Sequence, residues 1–338
     1  MKDLIKKLTE AYGPSGYEHS IRQIIRDEVR GYADEIRTNA LGSLIALKRG
    51  NPQGASGSGK GKKVMLAAHM DEIGVMVTYI DEKGFCRFAS IGGVFPLNLM
   101  GGRVVFGDGA MGVIGMEEKH FERSKTPPLD QFFIDVGAKD KATCPVKVGD
   151  AAGFCRSFED LGDRLVSKTM DDRIGCAVLI ETLRKLRRSA HDVYFVFTVQ
   201  EEMTLAGAGT SAYGINPDMA LAVDVTDTGD TPESNHMAVA LGGGPAIKVQ
   251  DSGMVAHAGV KQLMVRRAEE AKLPYQLEVL TRGTTDAMAI QMVREGIPSG
   301  CLSIPCRYIH SPSEMVDYDD VQNSVKLLLA ILAKPIEL

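Results

Sequence analysis

The sequence predicts an α/β protein in which a small β domain interrupts a larger, doubly wound domain. Helix and apolar strand patterns alternate over residues 1–73 and 165–338, and such alternation is typical of a doubly wound sheet. Between these segments, residues 74–164 hold short strand patterns, frequent turn signals and no pattern for a long helix. The chain has 338 residues, and single cores usually divide beyond about 250–300 residues. We therefore predict one domain built from both outer segments and a second formed by the insert.

The predicted elements of the larger domain begin with two helices, over 3–12 and 17–33, the second opening with a capping-box pattern of Ser15 and Glu18. The Gly-, Ser- and Lys-rich residues 50–62 are predicted to be a flexible surface loop. The remaining elements of this domain are predicted as strands 43–48 and 63–68, helix 172–188, strands 193–199 and 219–225, helix 258–272, strand 276–280, helix 286–295, strand 300–304 and helix 319–333. Strands of the insert are predicted over 75–80, 87–90, 103–106, 111–116 and 132–136.

Composition argues against several classes of function. The formal net charge is −5, and no run of Lys and Arg is long enough to follow a phosphate backbone, so nucleic acid is not an expected partner. No segment has the ~20 apolar residues of a membrane span, and the polar start of the chain does not resemble a secretion signal. The six cysteines are scattered along a chain large enough to form a core without disulfides. We expect a cytoplasmic protein with reduced thiols and no membrane association.

Acidic and histidine side chains follow the predicted strands of the larger domain. Ligands of open α/β sheets bind beyond the carboxyl ends of the strands, so side chains at these ends are expected to meet. The residues concerned are His69, Asp71, Glu201, Glu202, Asp224 and His310, with Asp171 at the start of an intervening helix. Imidazole and carboxylate together are ligands that zinc, cobalt and manganese accept. The pattern therefore predicts a divalent metal site at one edge of the sheet.

Two pairs of these residues lie close together in the sequence, and local geometry suggests a different role for each member of a pair. His69 and Asp71 are two residues apart in extended chain, so both point to one side, and Asp71 is placed to hold the far ring nitrogen of His69. Glu201 and Glu202 are adjacent and point differently. One of them is therefore able to bind a metal ion while its neighbour acts on water as a general base.

Several segments in combination resemble one known family, the glutamyl aminopeptidase and cellulase M family of tetrahedral metallo-aminopeptidases. The segments that carry the resemblance are 11–16 (AYGPSG), 69–74 (HMDEIG), 170–175 (MDDRIG), 200–202 (QEE), Asp224 and 310–312 (HSP). The resemblance extends over nearly the whole chain. It implies a dinuclear aminopeptidase that removes N-terminal residues from short peptides by means of a water that bridges the two metal ions.

The resemblance also implies a role for each matching residue. It assigns one divalent ion (zinc, cobalt or manganese) to His69 and Asp224 and a second to Glu202 and His310, with Asp171 bridging the two. Glu201 matches the general base, and Asp71 matches the residue that orients His69. The loop that holds Arg282 and Thr285 matches one near the active site, so both residues are expected to line the substrate pocket.

The same resemblance makes predictions about architecture. It implies a zinc-peptidase-like catalytic domain over 1–73 and 165–338, and a barrel-like, PDZ-like dimerisation domain over 74–164. Six such dimers are expected to form a homo-oligomeric dodecamer. Residue spacing gives no independent support for this assembly.

Two other functions are compatible with parts of the pattern. Relatives have carried a cellulase label, which suggests a glycosidase, but the chain has no Trp and 6% aromatic residues, whereas sugar clefts usually stack rings on aromatic faces. A non-catalytic metal-binding assembly protein is the other alternative, although a structural site would not need Glu201 beside it. The preferred N-terminal residue, for which a broad or apolar choice such as Leu is favoured, and the native ion are left open by the sequence.

Overall fold

The computed structural model describes residues 1–51, 61–117 and 125–338. Within these ranges no helix has both the length and the apolar character needed to cross a membrane. The helices are α1 Lys2–Thr9, α2 His19–Val29, α3 Met170–Lys185, α4 Glu201–Thr204, α5 Ala206–Ile215, α6 Ala258–Ala271, α7 Asp286–Gln291 and α8 Tyr318–Leu332.

The strands divide between a large sheet and a closed barrel. Those of the large sheet are β1 Glu35–Thr38, β2 Leu44–Lys48, β3 Lys63–His69, β10 Glu159–Asp160, β11 Arg164–Ser167, β12 Asp192–Thr198, β13 Met219–Thr226, β14 Ala246–Gln250, β15 Gln276–Val279, β16 Ser299–Arg307 and β17 Glu314–Asp317. Those of the barrel are β4 Gly74–Ile80, β5 Cys86–Ile91, β6 Arg103–Phe106, β7 Met111–Met116, β8 Phe132–Asp135 and β9 Ala151–Phe154.

The centre of the large sheet is parallel and has helices on both faces. Strands β12, β3, β13 and β16 lie side by side in this order and pair in parallel. Along β3, Val64 and Leu66 pack into the core that includes α3 and α8, whereas Met65 and Ala67 pack into a second core with α5 and α7. Alternate side chains of a strand point to opposite faces, so both faces of β3 are covered. This is the doubly wound α/β fold that the sequence predicts.

The six-stranded barrel has its own core. Its strands follow the order β4, β5, β8, β7, β6, β9 with antiparallel pairing, and residues such as Val75, Phe88, Val104 and Ile134 fill the interior. All the barrel strands fall inside the predicted insert, and no α-helix occurs among the described residues between Gly74 and Phe154. The prediction of a β insert in an α/β protein is therefore confirmed as a fold.

The return from the barrel to the large sheet occurs earlier than the predicted boundary after residue 164. Strand β10 covers Glu159–Asp160 and pairs with β11, which in turn pairs with β17. Phe158 also packs against the core of the large sheet. The domain division over 74–164 remains a prediction. The sequence did not indicate that Glu159–Asp160 joins the large sheet, because this two-residue strand has no recognisable pattern.

The entry into the second helix differs from its prediction. Helix α2 begins at His19, and Ser15 and Glu18 do not form a capping box. Instead the Ser15 hydroxyl donates to Asp71, and the Glu18 carboxylate accepts the N–H groups of Gly16 at 2.7 Å and Gln200 at 3.2 Å. These two side chains therefore form hydrogen bonds with other groups and do not cap the first turn of α2 as the local pattern predicted.

Several elements have no strong sequence signal. The predictions omitted strands β1, β9, β11, β14 and β17 and helices α4 and α5. Helix α5 has the sequence AGAGTSAYGI, which is rich in glycine and so has low intrinsic helix propensity. The predicted helix 286–295 ends at Gln291 and the predicted helix 17–33 ends at Val29. Most of the predicted surface loop, residues 52–60, lies outside the described residues.

Candidate metal centre and active site

Parallel pairing brings the predicted site residues to one edge of the sheet. Ala222 of β13 lies opposite Ala67 of β3, two positions before Asp224 and His69 respectively. The last residue of β12 lies opposite His69, and α4 then begins with Glu201. Strand β3 runs one residue further than predicted, so that His69 is its last residue, and Asp224 lies within β13.

The structure brings five of the predicted residues together as two groups that share Asp171. Candidate ligand atoms lie within 4.8 Å of one another in His69, Asp171 and Asp224, and likewise in Asp171, Glu202 and His310. The Oδ1 atom of Asp171 is 2.9 Å from Nε2 of His69, and its Oδ2 atom is 3.4 Å from Nε2 of His310. Glu202 Oε2 lies 3.2 Å from His310 Nε2. One carboxylate thus faces both imidazoles, with one oxygen towards each.

Asp71 lies behind these groups and contacts three parts of the site. Its carboxylate accepts the backbone N–H groups of Glu201 at 3.1 Å and Glu202 at 3.2 Å, as well as the Ser15 hydroxyl. Its Oδ1 atom is 3.6 Å from Nδ1 of His69, whereas its own backbone carbonyl oxygen is nearer to that nitrogen, at 3.2 Å. The residue therefore supports the α4 turn directly and the His69 ring through both carbonyl and carboxylate.

The charges in the site fit divalent cations. Burial raises the pKa of Glu201 well above its ordinary value of 4.5, although His69 opposes the shift. Burial by itself would lower the pKa of His310, but hydrogen bonds to Asp171 and Glu202 raise it to about 12. A divalent cation would supply positive charge among these carboxylates, and the mixed nitrogen and oxygen donors suit zinc, cobalt or manganese.

Asp172 supports the site, although no role is predicted for it from the sequence. Its Oδ2 atom accepts the backbone N–H of His69 at 3.1 Å, and its Oδ1 atom accepts the N–H of Gly175 at 3.0 Å. A Cβ atom at position 175 would lie 2.3 Å from that Oδ1 atom, so the glycine allows the contact. The sequence feature that could have indicated a role for Asp172 is its position inside the MDDRIG segment, residues 170–175.

An open cavity of about 1010 Å³ lies over the two groups. His69, Glu201, His310 and Arg282 are among the residues that line it, and the substrate-binding role of Arg282 remains a prediction. Thr285, in contrast, is buried and its hydroxyl accepts the N–H of Ala287 as the cap of α7, so the structure does not bring it to the cavity. Its neighbour Thr284 lines the wall instead. The prediction for Thr285 failed because an N-cap side chain turns back onto its own helix.

The barrel also contributes to the cavity wall, which the sequence did not indicate. Phe95 lies in the segment that follows β5, and its ring centroid is 6.1 Å from that of His310. Asn98 in the same segment donates to the backbone carbonyl of His310 at 3.3 Å. The insert therefore contacts the segment that carries one of the two histidines.

Comparison with known proteins identifies the family. A family model described as M42 glutamyl aminopeptidase matches residues 42–327. A putative aminopeptidase of Acetivibrio thermocellus is 48% identical over 331 residues, which cover 97% of each chain. Among solved structures, an aminopeptidase from the archaeon Desulfurococcus kamchatkensis is 42% identical with a TM-score of 0.91, covering 98% of this chain and 94% of that chain. The TET1 peptidase of Pyrococcus horikoshii is 32% identical with a TM-score of 0.84, covering 98% of both chains, and is described as able to assemble into a tetrahedron or a large octahedral shell.

The fold and the paired acidic and histidine groups define a metal-dependent peptidase. The chain belongs to the M42 glutamyl aminopeptidase family, which confirms the resemblance found in the sequence. It is an aminopeptidase, a hydrolase that acts on peptide bonds. This membership does not favour the glycosidase or the non-catalytic alternative.

Proposed function

We propose that this aminopeptidase removes N-terminal residues from short peptides with two divalent ions held at the carboxyl edge of the sheet. One ion would be held by His69 and Asp224, the other by Glu202 and His310, and both by Asp171. The observation that supports this most directly is the placement of Asp171, which faces His69 with one carboxylate oxygen and His310 with the other.

When bound, such ions polarise a carbonyl group and lower the pKa of water. We propose that Glu201 is the general base. Its carboxylate lies at the cavity floor, with Oε2 3.8 Å from Nε2 of His69, and the pKa raised by burial suits a group that first takes a proton and later releases it. Glu201 takes a proton from the attacking water as the new C–O bond forms, and returns it to the leaving amine as the C–N bond breaks.

The cavity favours a free N-terminus. The free α-amino group of a substrate would bind one of the two ions or the acids beside them, such as Glu201. An acetylated N-terminus lacks this amine. We therefore propose strict exopeptidase action, with a broad or apolar preference such as Leu for the residue removed, and Arg282 as a wall of the substrate pocket.

We also propose that the barrel forms a dimer interface and that the dimers build a dodecamer in the cytoplasm. The assemblies described for the Pyrococcus horikoshii TET1 peptidase support this proposal. Tyr79, Met111 and Val113 are about half exposed on the barrel and are therefore available to such an interface. A stable monomer in a mass measurement in solution would exclude this assembly.

The proposed reaction is tested with free aminoacyl anilides and their N-acetylated counterparts. Chelated enzyme would be assayed alone and with added zinc, cobalt or manganese. We expect turnover that needs a metal and is confined to free amines. Equal cleavage of the acetylated substrates would contradict the role given to the α-amino group.

Glu201→Gln tests the general base separately. The amide cannot accept the proton, so we expect kcat to fall by roughly 10²- to 10⁴-fold while metal content stays at the level of the parent. Glu82→Gln is the matched control, because that side chain is 84% exposed. A Glu201→Gln variant with unchanged kcat would assign the base to another group.

A further inference from the structure

Glu314 connects the two candidate metal groups through backbone hydrogen bonds. Its Oε2 atom accepts the N–H of Asp171 at 2.8 Å, and its Oε1 atom accepts the N–H of His310 at 2.9 Å. The side chain is buried, with 1% of the residue exposed. Neither oxygen belongs to the metal groups described above.

The fold explains why one side chain reaches both segments. Glu314 begins β17, where it lies opposite Ser167, the last residue of β11. The chain leaves β11 and reaches Asp171 four residues later, at the start of α3. On the other side, His310 lies in the turn between β16 and β17, also four residues from Glu314. Both segments therefore pass the same carboxylate.

The conformation of His310 needs such support. Its φ is 59°, in the left-handed region that non-glycine residues rarely adopt, and Tyr308 in the same turn has a φ of 62°. Backbone conformations of this kind persist when surrounding contacts hold them. The bond from the N–H of His310 to Glu314 is one contact that holds the turn, and with it the direction of the imidazole.

We propose that Glu314 is a positioning residue that sets the relative placement of Asp171 and His310 for metal binding. This inference rests on the proposed function. Partners that orient metal ligands typically contribute 10- to 100-fold, as an order of magnitude, to metal affinity or activity. Glu314 holds two of the three residues in the group of Asp171, Glu202 and His310, but only one in the group of His69, Asp171 and Asp224. Its loss should therefore weaken the first group more than the second.

Glu314→Gln tests this with little change in shape, because the amide keeps one acceptor oxygen and replaces the other with a group that cannot accept. Ser167→Ala is the matched control, since Ser167 lies opposite on the neighbouring strand and its buried hydroxyl has no hydrogen-bond partner among the described residues. Zn²⁺ binding to the metal-free proteins would be measured by competition with a chelating indicator. Thermal unfolding of the metal-free proteins would report whether the fold itself is affected.

We expect Glu314→Gln to weaken one of two Zn²⁺ binding steps by about 10- to 100-fold and the other step less. Saturating Zn²⁺ should then restore most of the activity, a recovery that damage to the fold alone would not produce. Ser167→Ala should match the parent in both steps. Unchanged Zn²⁺ binding by Glu314→Gln, or two steps weakened equally together with a lower Tm of the metal-free protein, would overturn the inference.

A second measurement does not depend on the variant folding. In the metal-free parent, the amide hydrogens of Asp171 and His310 should exchange slowly because each is bonded to the buried carboxylate. Rapid exchange of both would overturn the proposal. Failure of the proposed function has a different signature, since the parent itself would then bind no Zn²⁺ at the site.

Discussion

The backbone N–H of Glu201 donates a hydrogen bond of 3.1 Å to the carboxylate of Asp71. This contact joins the end of β3 to the first turn of α4, so that the proposed general base and the His69 segment share one buried acceptor. Strand β3 ends and helix α4 begins at the same edge of the sheet. This proximity alone would not fix the direction of the Glu201 side chain.

Replacement of Asp71 by Asn should therefore disturb the placement of Glu201 and Glu202 as well as that of His69. The amide loses one of the acceptor oxygens that hold Glu201 and Glu202, and we expect kcat/KM to fall by about 10- to 100-fold. Asp27→Asn is the control, because its side chain is 54% exposed and pairs only with Arg30 among the described ion pairs. Assays at saturating zinc would check this, and activity equal to that of Asp27→Asn would contradict it.

Metal stoichiometry should separate the two candidate groups. His69→Ala removes a proposed ligand from one group and His310→Ala from the other, so each variant should retain about one tightly bound ion where the parent should retain two. His257→Ala, an exposed histidine outside both groups, should bind as the parent does. Elemental analysis after dialysis measures this. Loss of both ions in each single variant would show that the groups do not bind independently.

Acid sensitivity should depend in part on Asp230 and Arg307. Arg307 donates two hydrogen bonds to Asp230, at 2.9 and 2.7 Å, and these bonds hold the pKa of the carboxyl well below its ordinary value of 3.8. A carboxyl whose pKa is lowered by folding stabilises the protein above its unfolded pKa and loses this contribution as pH falls. The stabilisation should thus be complete at neutral pH and diminish below pH 3.8.

Asp230→Asn should lower the free energy of unfolding by about 1.5–3 kcal/mol at pH 7, and by less below pH 3.8. Urea titrations at both pH values and one protein concentration would measure the difference. Asp27→Asn, which removes an exposed pair with Arg30, should change stability by less than about 1 kcal/mol. If the difference in the free energy of unfolding between the parent and Asp230→Asn grew on acidification, the stabilising role given to the ion pair of Asp230 and Arg307 would be wrong.

Two glycines of helix α5 should respond differently to alanine. A Cβ atom at Gly207 would lie 2.4 Å from the carbonyl oxygen of Val199, whereas one at Gly214 would meet no atom within 4 Å. Gly207→Ala should therefore destabilise the protein by about 1–3 kcal/mol through overpacking. Gly214→Ala should be neutral or stabilising by up to about 1 kcal/mol, because alanine favours the helix. Equal thermal shifts for the two variants would show that α5 does not pack closely on the end of β12.

The sequence was most informative where pattern and chemistry coincide. Long apolar runs predicted the central strands β3, β12 and β13, because strands buried on both faces cannot hold polar residues in their interior. The placement of His69, Glu201 and Asp224 near strand ends then predicted their meeting at one edge. Short or atypical elements such as β10 and the glycine-rich α5 were missed, because tertiary pairing and close packing stabilise them more than their own propensity does.

The sequence by itself therefore determined the α/β class, the β insert, the family and the side chains available for a metal site. Only the tertiary structure decided how they are held. Ser15 bonds to Asp71 and not to its own helix, Thr285 caps α7 and does not reach the cavity, and Glu314 joins the segments of Asp171 and His310. The physical reason is that one side-chain oxygen satisfies whichever donor the fold brings near, and contacts between distant segments leave no periodic signal along the chain.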